Sequence, residues 1–253
     1  LPELPALGRL LVELEATDWQ VQLTVPLGNA ADRAELPLQP YELLDLFPLL
    51  TWMQHTILEP GEVRLRPGNN LGYFGPYEEW VRYRGANGVH WTRCGAGAFA
   101  VGIEADGTLK GCPSLPTASY AGGDLRVTPL REILQREPLR RLADRTVDDL
   151  WGYCRDCYYA DACRGGCSYT AHSWLGKPGN NPLCIHRALM LEGIGKRERL
   201  VRVETASGVP FDHGRFEIVL EDCPEFVEEE HVLLGGVPLK TVTEATPAGG
   251  SLH

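Results

Sequence analysis

Five thiols fall within CRDCYYADACRGGCSYTAHSWLGKPGNNPLC, the run from Cys154 to Cys184, at the spacing C-x2-C-x5-C-x3-C-x16-C. Two more, Cys94 and Cys112, lie upstream beside glycines, and Cys223 stands alone. Thiolates bind soft metals, and several on one loop can surround an ion or an iron–sulfur cluster. Three chemistries compete. Disulfides need an oxidising compartment, and no export signal is seen, so the thiols of a cytosolic chain are expected to stay reduced. Structural zinc favours two C-x2-C knuckles. Cys154 and Cys157 form one, and the x5 and x3 gaps that follow do not form a second. A cluster tolerates wider gaps and needs backbone that bends sharply while its amides donate to sulfur. Gly165-Gly166 before Cys167 and Gly111 before Cys112 suit that need.

The elements that must position these thiols are read from the rest of the chain. Its 253 residues can bury a sizeable core as one large or two medium domains. Apolar and charged contents of 43% and 23% are ordinary for a soluble protein. A formal charge of -10 argues against a nucleic-acid partner. No apolar run reaches the length of a membrane span, so a cytoplasmic location without a membrane partner is expected. Leu7, Leu10, Leu11 and Leu14 repeat at helical spacing and predict an apolar helix face. A strand over Trp19–Val25 leads into a loop with Gly28 and Asn29. A helix follows over Pro40–Ile57, with a kink expected at Pro48. The strand Glu62–Arg66 then ends in Pro67-Gly68-Asn69-Asn70. This βα alternation belongs to a parallel sheet. Two parallel strands leave both edges open, and Met53 and Met190 are the only methionines in a chain that starts at Leu1. A processed product, or more plausibly a piece of something longer, is expected.

Downstream, Gly72–Tyr83 is an aromatic-rich bridge. A hairpin over 99–111, turning at Asp106-Gly107, should bring Cys94 and Cys112 to neighbouring strand ends. Thr128-Pro129 reads as a capped helix start with Leu130, Ile133 and Leu134 inside, interrupted at Pro138. The six arginines of 126–145 read as a solvated basic face. A helix through Arg187–Leu191, a strand over Phe216–Glu221 and a disordered tail from Thr243 complete the reading.

Cys94-x12-Gly107-x4-Cys112 followed by the Cys154–Cys184 spacing, with CGAG, IEADGTLKGCPSL and CRGGC between, resembles the seven-cysteine signature of SPASM domains. These are the auxiliary-cluster domains of radical SAM peptide and protein maturases. The resemblance spans about residues 90–190. It implies two [4Fe–4S] clusters. Cys154, Cys157, Cys163 and Cys184 would hold one completely. Cys94, Cys112 and Cys167 would hold the other, whose fourth position could be filled by Cys223 or His90 or stay open to a peptide group. Residues 1–85 resemble the last βα units of a partial TIM barrel, where Gly28, Asn29, Gly68 and Asn69 at the strand ends could approach S-adenosyl-L-methionine or substrate. Simple glycine turns explain them equally well.

The chain departs from the family in one respect. The C-x3-C-x2-C loop that cleaves S-adenosyl-L-methionine is missing, and residues 1–93 contain no cysteine. This chain alone should not cleave that cofactor, which would act only in a complete enzyme. No Walker loop, G-x-S-x-G or H-E-x-x-H motif offers another chemistry. His172 and His186 flank the cysteine region without metal-type spacing, and Tyr158, Tyr159 and Trp174 are expected to pack around the cluster. The expected class is α/β plus α+β: barrel units with a bridging segment over 1–85, a SPASM-like iron–sulfur domain over 86–200, an extension over 201–242 and a tail over 243–253. The expected partners are a peptide or protein substrate, an electron donor, and a missing N-terminal half or a partner maturase. The competing reading is a zinc-stabilised binding module without redox activity.

Overall fold

A computed structural model describes residues 1–33, 35–83, 90–209, 212, 214–224, 231–234 and 237–240, with Asn29, Tyr83 and the last two segments described by backbone alone. The expected tail, 243–253, and the expected division at 85/86 lie outside the described residues.

Helix α1 (Leu4–Glu13) forms where the leucine spacing predicts it, but turned over. Gly8 is its buried position, seated on Met53 and Ile57, while Leu7, Leu10 and Leu14 are exposed. The glycine admits the close approach that a leucine would block. Strand β1 (Asp18–Val21) pairs in parallel with β2 (Arg64–Pro67), and Asp18 reaches Arg64 and Arg66 across the pair at 3.2 and 2.5 Å. Between them, α2 (Leu43–Met53) contains Pro48 and runs on as a π-turn to Leu58, close to the predicted span. This is one βαβ unit with a two-stranded sheet. Among the described residues no barrel closes.

Helix α3 (Glu78–Tyr83) falls in the aromatic bridge. The predicted hairpin appears as β3 (Gly102–Ile103) and β4 (Thr108–Lys110), with Asp106 accepting from the Thr108 amide and Gly107 at φ +87°. After a helical turn, α4 (Thr117–Tyr120), an unforeseen strand β5 (Ala121–Asp124) adds to β4. Helices α5 (Leu130–Ile133) and α6 (Glu137–Ala143) follow. Pro129 rather than Thr128 caps α5, and no side chain hydrogen-bonds that end. Ile133 is buried, whereas Leu130 is exposed. Pro138 opens α6, a place where its missing N–H costs nothing. The cysteine stretch contains α7 (Ala160–Cys163) and α8 (Ser168–Leu175), and α9 (Ile185–Glu192) starts directly after Cys184. A long antiparallel hairpin, β6 (Lys196–Glu204) with β7 (Arg215–Asp222), straddles the expected 200/201 division. Strands β8 (His231–Leu234) and β9 (Val237–Lys240) pair antiparallel.

One core joins these parts. Leu43, Leu46, Phe47 and Leu50 of α2 share one buried cluster with Leu23 and Leu65 of the sheet unit and with Trp174, Ile185, Leu200 and Phe216. The βαβ unit therefore buries its helix against the same elements that carry the thiols. The expected place of Trp174 beside the cluster is corrected here. It is fully buried in this core, edge-on to Phe216 at 4.7 Å, because α8 turns that face toward the β6–β7 hairpin.

Candidate metal centre

All eight cysteines are free thiols. Cys154, Cys157, Cys163 and Cys184 line a single cavity of about 360 Å³, counting the part open to solvent, together with Tyr73, Phe74 and Tyr159. Cys154 sits in a 3-10 turn (Gly152–Arg155), Cys163 ends α7, and Cys184 caps α9, so three short elements deliver three of the sulfurs and Cys157 lies in the link between the turn and α7. The loop between Cys163 and Cys167 can turn back because Arg164, Gly165 and Gly166 all take positive φ. A side chain at Gly165 would meet the Gly179 backbone at 2.9 Å, and one at Gly166 the Tyr73 ring at 2.4 Å.

Cys94 and Cys112 pack together elsewhere, against Ala96, Leu115, Tyr120 and Leu142. The hairpin does bring them to one place: the Gly97 amide donates to Gly111 at 2.9 Å. Lys110, fully buried, donates to the carbonyls of Pro113 and Leu115 and pairs with Glu104, which fixes the loop after Cys112.

The electrostatics separate the thiols into the same two sets. Burial pushes Cys163 well up, with added repulsion from Cys184, Cys154 and Cys157. Burial raises Cys184 to about 12, and its thiol neighbours are Cys154 and Cys157. Cys167 is raised to about 11 by burial and then by Cys94, with Cys112 contributing. Cys112 is raised by burial and by Cys94. Cys167 therefore couples electrostatically to Cys94 and Cys112, while it packs with Tyr73, Phe74 and Trp91 in the cluster that Cys163 and Cys184 border.

Neighbouring backbone amides oppose the upward push of burial in both sets: Gly166 for Cys163, Asn181 for Cys154, Arg187 for Cys184, Thr170 for Cys167, and Ser114 and Leu115 for Cys112. The Tyr159 amide donates to Cys157 Sγ at 3.4 Å. Such donors stabilise thiolates and tune the potential of an iron–sulfur centre. Soft donors in a desolvated cavity with neighbouring amides fit a cluster by donor chemistry. Among the described residues no group of three or more His, Cys, Asp or Glu side chains is arranged to hold a single metal ion.

Residues 94–158 match the family model of SPASM, an iron–sulfur cluster-binding domain. The SPASM match contains Cys94, Cys112, Cys154 and Cys157; Cys163, Cys167, Cys184 and Cys223 lie beyond it. No curated protein and no solved structure matches the chain.

Around the SPASM segment, several expected residues find other places. Tyr159 does shield the cavity, stacked on Phe74 at 4.1 Å with His186 edge-on at 4.9 Å. Tyr158 does not; it is 88% exposed. The Cys223 amide donates to Gly195 at the start of the β6–β7 hairpin, and His90 Nδ1 donates to the Trp91 carbonyl. Neither contact is with the Cys94 set. Gly28 is exposed and opens a 3-10 turn beyond β1, with nothing within 4 Å of an added Cβ. The Gly68 amide donates to Val21 at 2.7 Å, and Asn70 pairs its amide with the Leu23 backbone at 2.7 and 3.2 Å, extending the parallel pair. The Asn69 carbonyl accepts from the Tyr73 hydroxyl at 2.6 Å, which ties this loop to the thiol region. Among the described residues no helix is long and apolar enough to cross a membrane.

Proposed function

We infer that the chain is the auxiliary-cluster part of a radical SAM/SPASM maturase acting on a peptide or protein. Its residues would hold two [4Fe–4S] clusters for electron transfer or substrate anchoring. The observation that carries this reading is the shared cavity of Cys154, Cys157, Cys163 and Cys184, a full set of four thiols, with Cys94 and Cys112 packed together outside it and Cys167 coupled to them electrostatically. The SPASM match over 94–158 supports the same chemistry.

When bound, such clusters supply one-electron redox chemistry at potentials set by charge, solvent exposure and hydrogen bonds to sulfur. The chain's own residues do the rest. Amides of Gly166, Asn181 and Arg187 stabilise thiolates, while Tyr159 and Phe74 restrict water at one wall of the cavity. With three thiols, the second set leaves room for a non-cysteine ligand or a substrate group. The strand-end loops at Gly28-Asn29 and Gly68-Asn69 are the stretches that would face S-adenosyl-L-methionine or substrate in a complete enzyme. That enzyme would draw its C-x3-C-x2-C loop from an N-terminal half or a partner maturase, and its electrons from a separate donor.

Anaerobically prepared protein is expected to be brown and to absorb broadly near ~400 nm. A colourless protein carrying stoichiometric zinc would replace this reading with a zinc-stabilised binding module.

A further inference from the structure

Arg145 follows α6 and is only 5% exposed. Its Nε donates to the Arg164 carbonyl at 2.7 Å, its Nη2 to the Gly166 carbonyl at 3.1 Å, and its Nη1 to the Ser168 hydroxyl at 2.9 Å. All three acceptors are neutral. Other buried or half-buried cations near the thiols have carboxylates: Arg187 pairs with Glu198 at 2.6 Å, Lys110 with Glu104, and the half-buried Arg82 with Glu78 at 3.4 Å. Among the described residues no carboxylate pairs with Arg145.

An unpaired charge out of water is strongly unfavourable, so a buried guanidinium needs a negative partner. The loop it grips, 164–168, runs from Cys163 of one thiol set to Cys167 of the other. Its field reaches Cys154 in the first set and Tyr120, which packs with the Cys94 set. Thiolates and the clusters they bind are the anions this position faces.

We propose that Arg145 is the counter-charge of the cluster centre, a positioning residue that holds the 164–168 loop by its fork and favours the reduced clusters by its charge. The inference rests on the iron–sulfur reading above. Reduction adds one electron, from an external low-potential donor, to a group that is already negative when thiolate-bound. By Coulomb's law, a fixed cation at a separation on the order of 10 Å favours a reduced form about tenfold at an effective dielectric of ~20, which sets the scale of the expected effect.

The test is a redox titration followed by electron paramagnetic resonance on wild type, Arg145→Met and Arg145→Lys, with iron and sulfide measured on each sample. The expected result is that Arg145→Met loads iron and at least one cluster shifts about tenfold toward the oxidised form, or ~59 mV lower for one electron. Arg145→Lys should restore most of that shift. Equal iron with unchanged potentials overturns the role of Arg145 and leaves the cluster reading standing, whereas wild type without iron overturns the cluster reading itself. If Arg145→Met loads poorly, Arg145→Lys decides: recovered iron at near-wild-type potential supports the counter-charge, and equally poor loading means the fork's hydrogen bonds alone matter and overturns it.

Discussion

Tyr73 accepts a 2.8 Å hydrogen bond from the backbone amide of Cys167, across 94 residues of chain. The same residue's carbonyl faces Cys184 Sγ at 3.5 Å, and its ring lines the four-thiol cavity. Tyr73, 1% exposed, therefore touches both thiol sets and, through Asn69, the end of β2. Tyr73→Phe keeps the ring and strands the Cys167 amide and the Asn69 carbonyl. The expected loss is ~1–3 kcal/mol, read as a lower urea midpoint at unchanged m. A midpoint equal to wild type would show that the hydroxyl does not hold the two regions together.

The two thiol sets should lose their iron independently. On the proposed two-cluster reading, Cys157→Ala and Cys112→Ala are each expected to remove about half of the bound iron, and the double variant nearly all. Cys223→Ala should keep the full complement, because its amide contact lies at Gly195. Iron analysis of the four proteins checks the partition, and a large loss in Cys223→Ala would make it a ligand.

The metal-free chain should weaken in alkali. Burial holds Cys112, Cys154, Cys163, Cys167 and Cys184 above the ordinary thiol value of 9.0. Between the unfolded and folded values the native state binds more protons than the unfolded state, so stability falls as pH rises. The contribution is complete below about pH 8.5 and declines above it. Denaturation midpoints from pH 7 to 10 measure this, and a flat or rising profile would contradict the burial of these thiols. Loading iron near pH 7 should release protons, since the thiols arrive protonated.

Two glycines with similar backbone separate strain from crowding. Gly176 has φ +77° and nothing within 4 Å of an added Cβ, so Gly176→Ala should cost only ~1–2 kcal/mol of left-handed strain. Gly166 has φ +65° and would push a methyl into the Tyr73 ring. Gly166→Ala should be clearly worse in the same denaturation experiment and should also lower iron loading. Equal costs would mean that Tyr73 does not pack on this loop.

Much of the cysteine chemistry was legible because sulfur spacing is local: the hairpin turn at Asp106-Gly107 and the glycines around Cys163–Cys167 lie beside the thiols they position. Interior cations were not legible. Arg145 closes a run of arginines, of which Arg140 and Arg141 are solvated and paired with Asp144 and Glu137 as a basic face predicts. Only tertiary packing turns Arg145 inward. Trp174 and the α1 leucines failed for a related reason. Periodicity marks an apolar face, and which neighbour that face meets is decided far along the chain, by Phe216 for Trp174 and by Met53 for Gly8. Strands β5 and β6 carry glycines or alternating arginines rather than apolar runs, so their composition concealed them.

The most direct measurement is iron and acid-labile sulfide per chain after anaerobic reconstitution, with Mössbauer spectra of the same sample. Two four-iron clusters give about eight iron and eight sulfide, in the spectral form of [4Fe–4S] centres. Iron without sulfide, zinc in its place, or sulfurs joined as disulfides would contradict the assignment of these thiols to clusters.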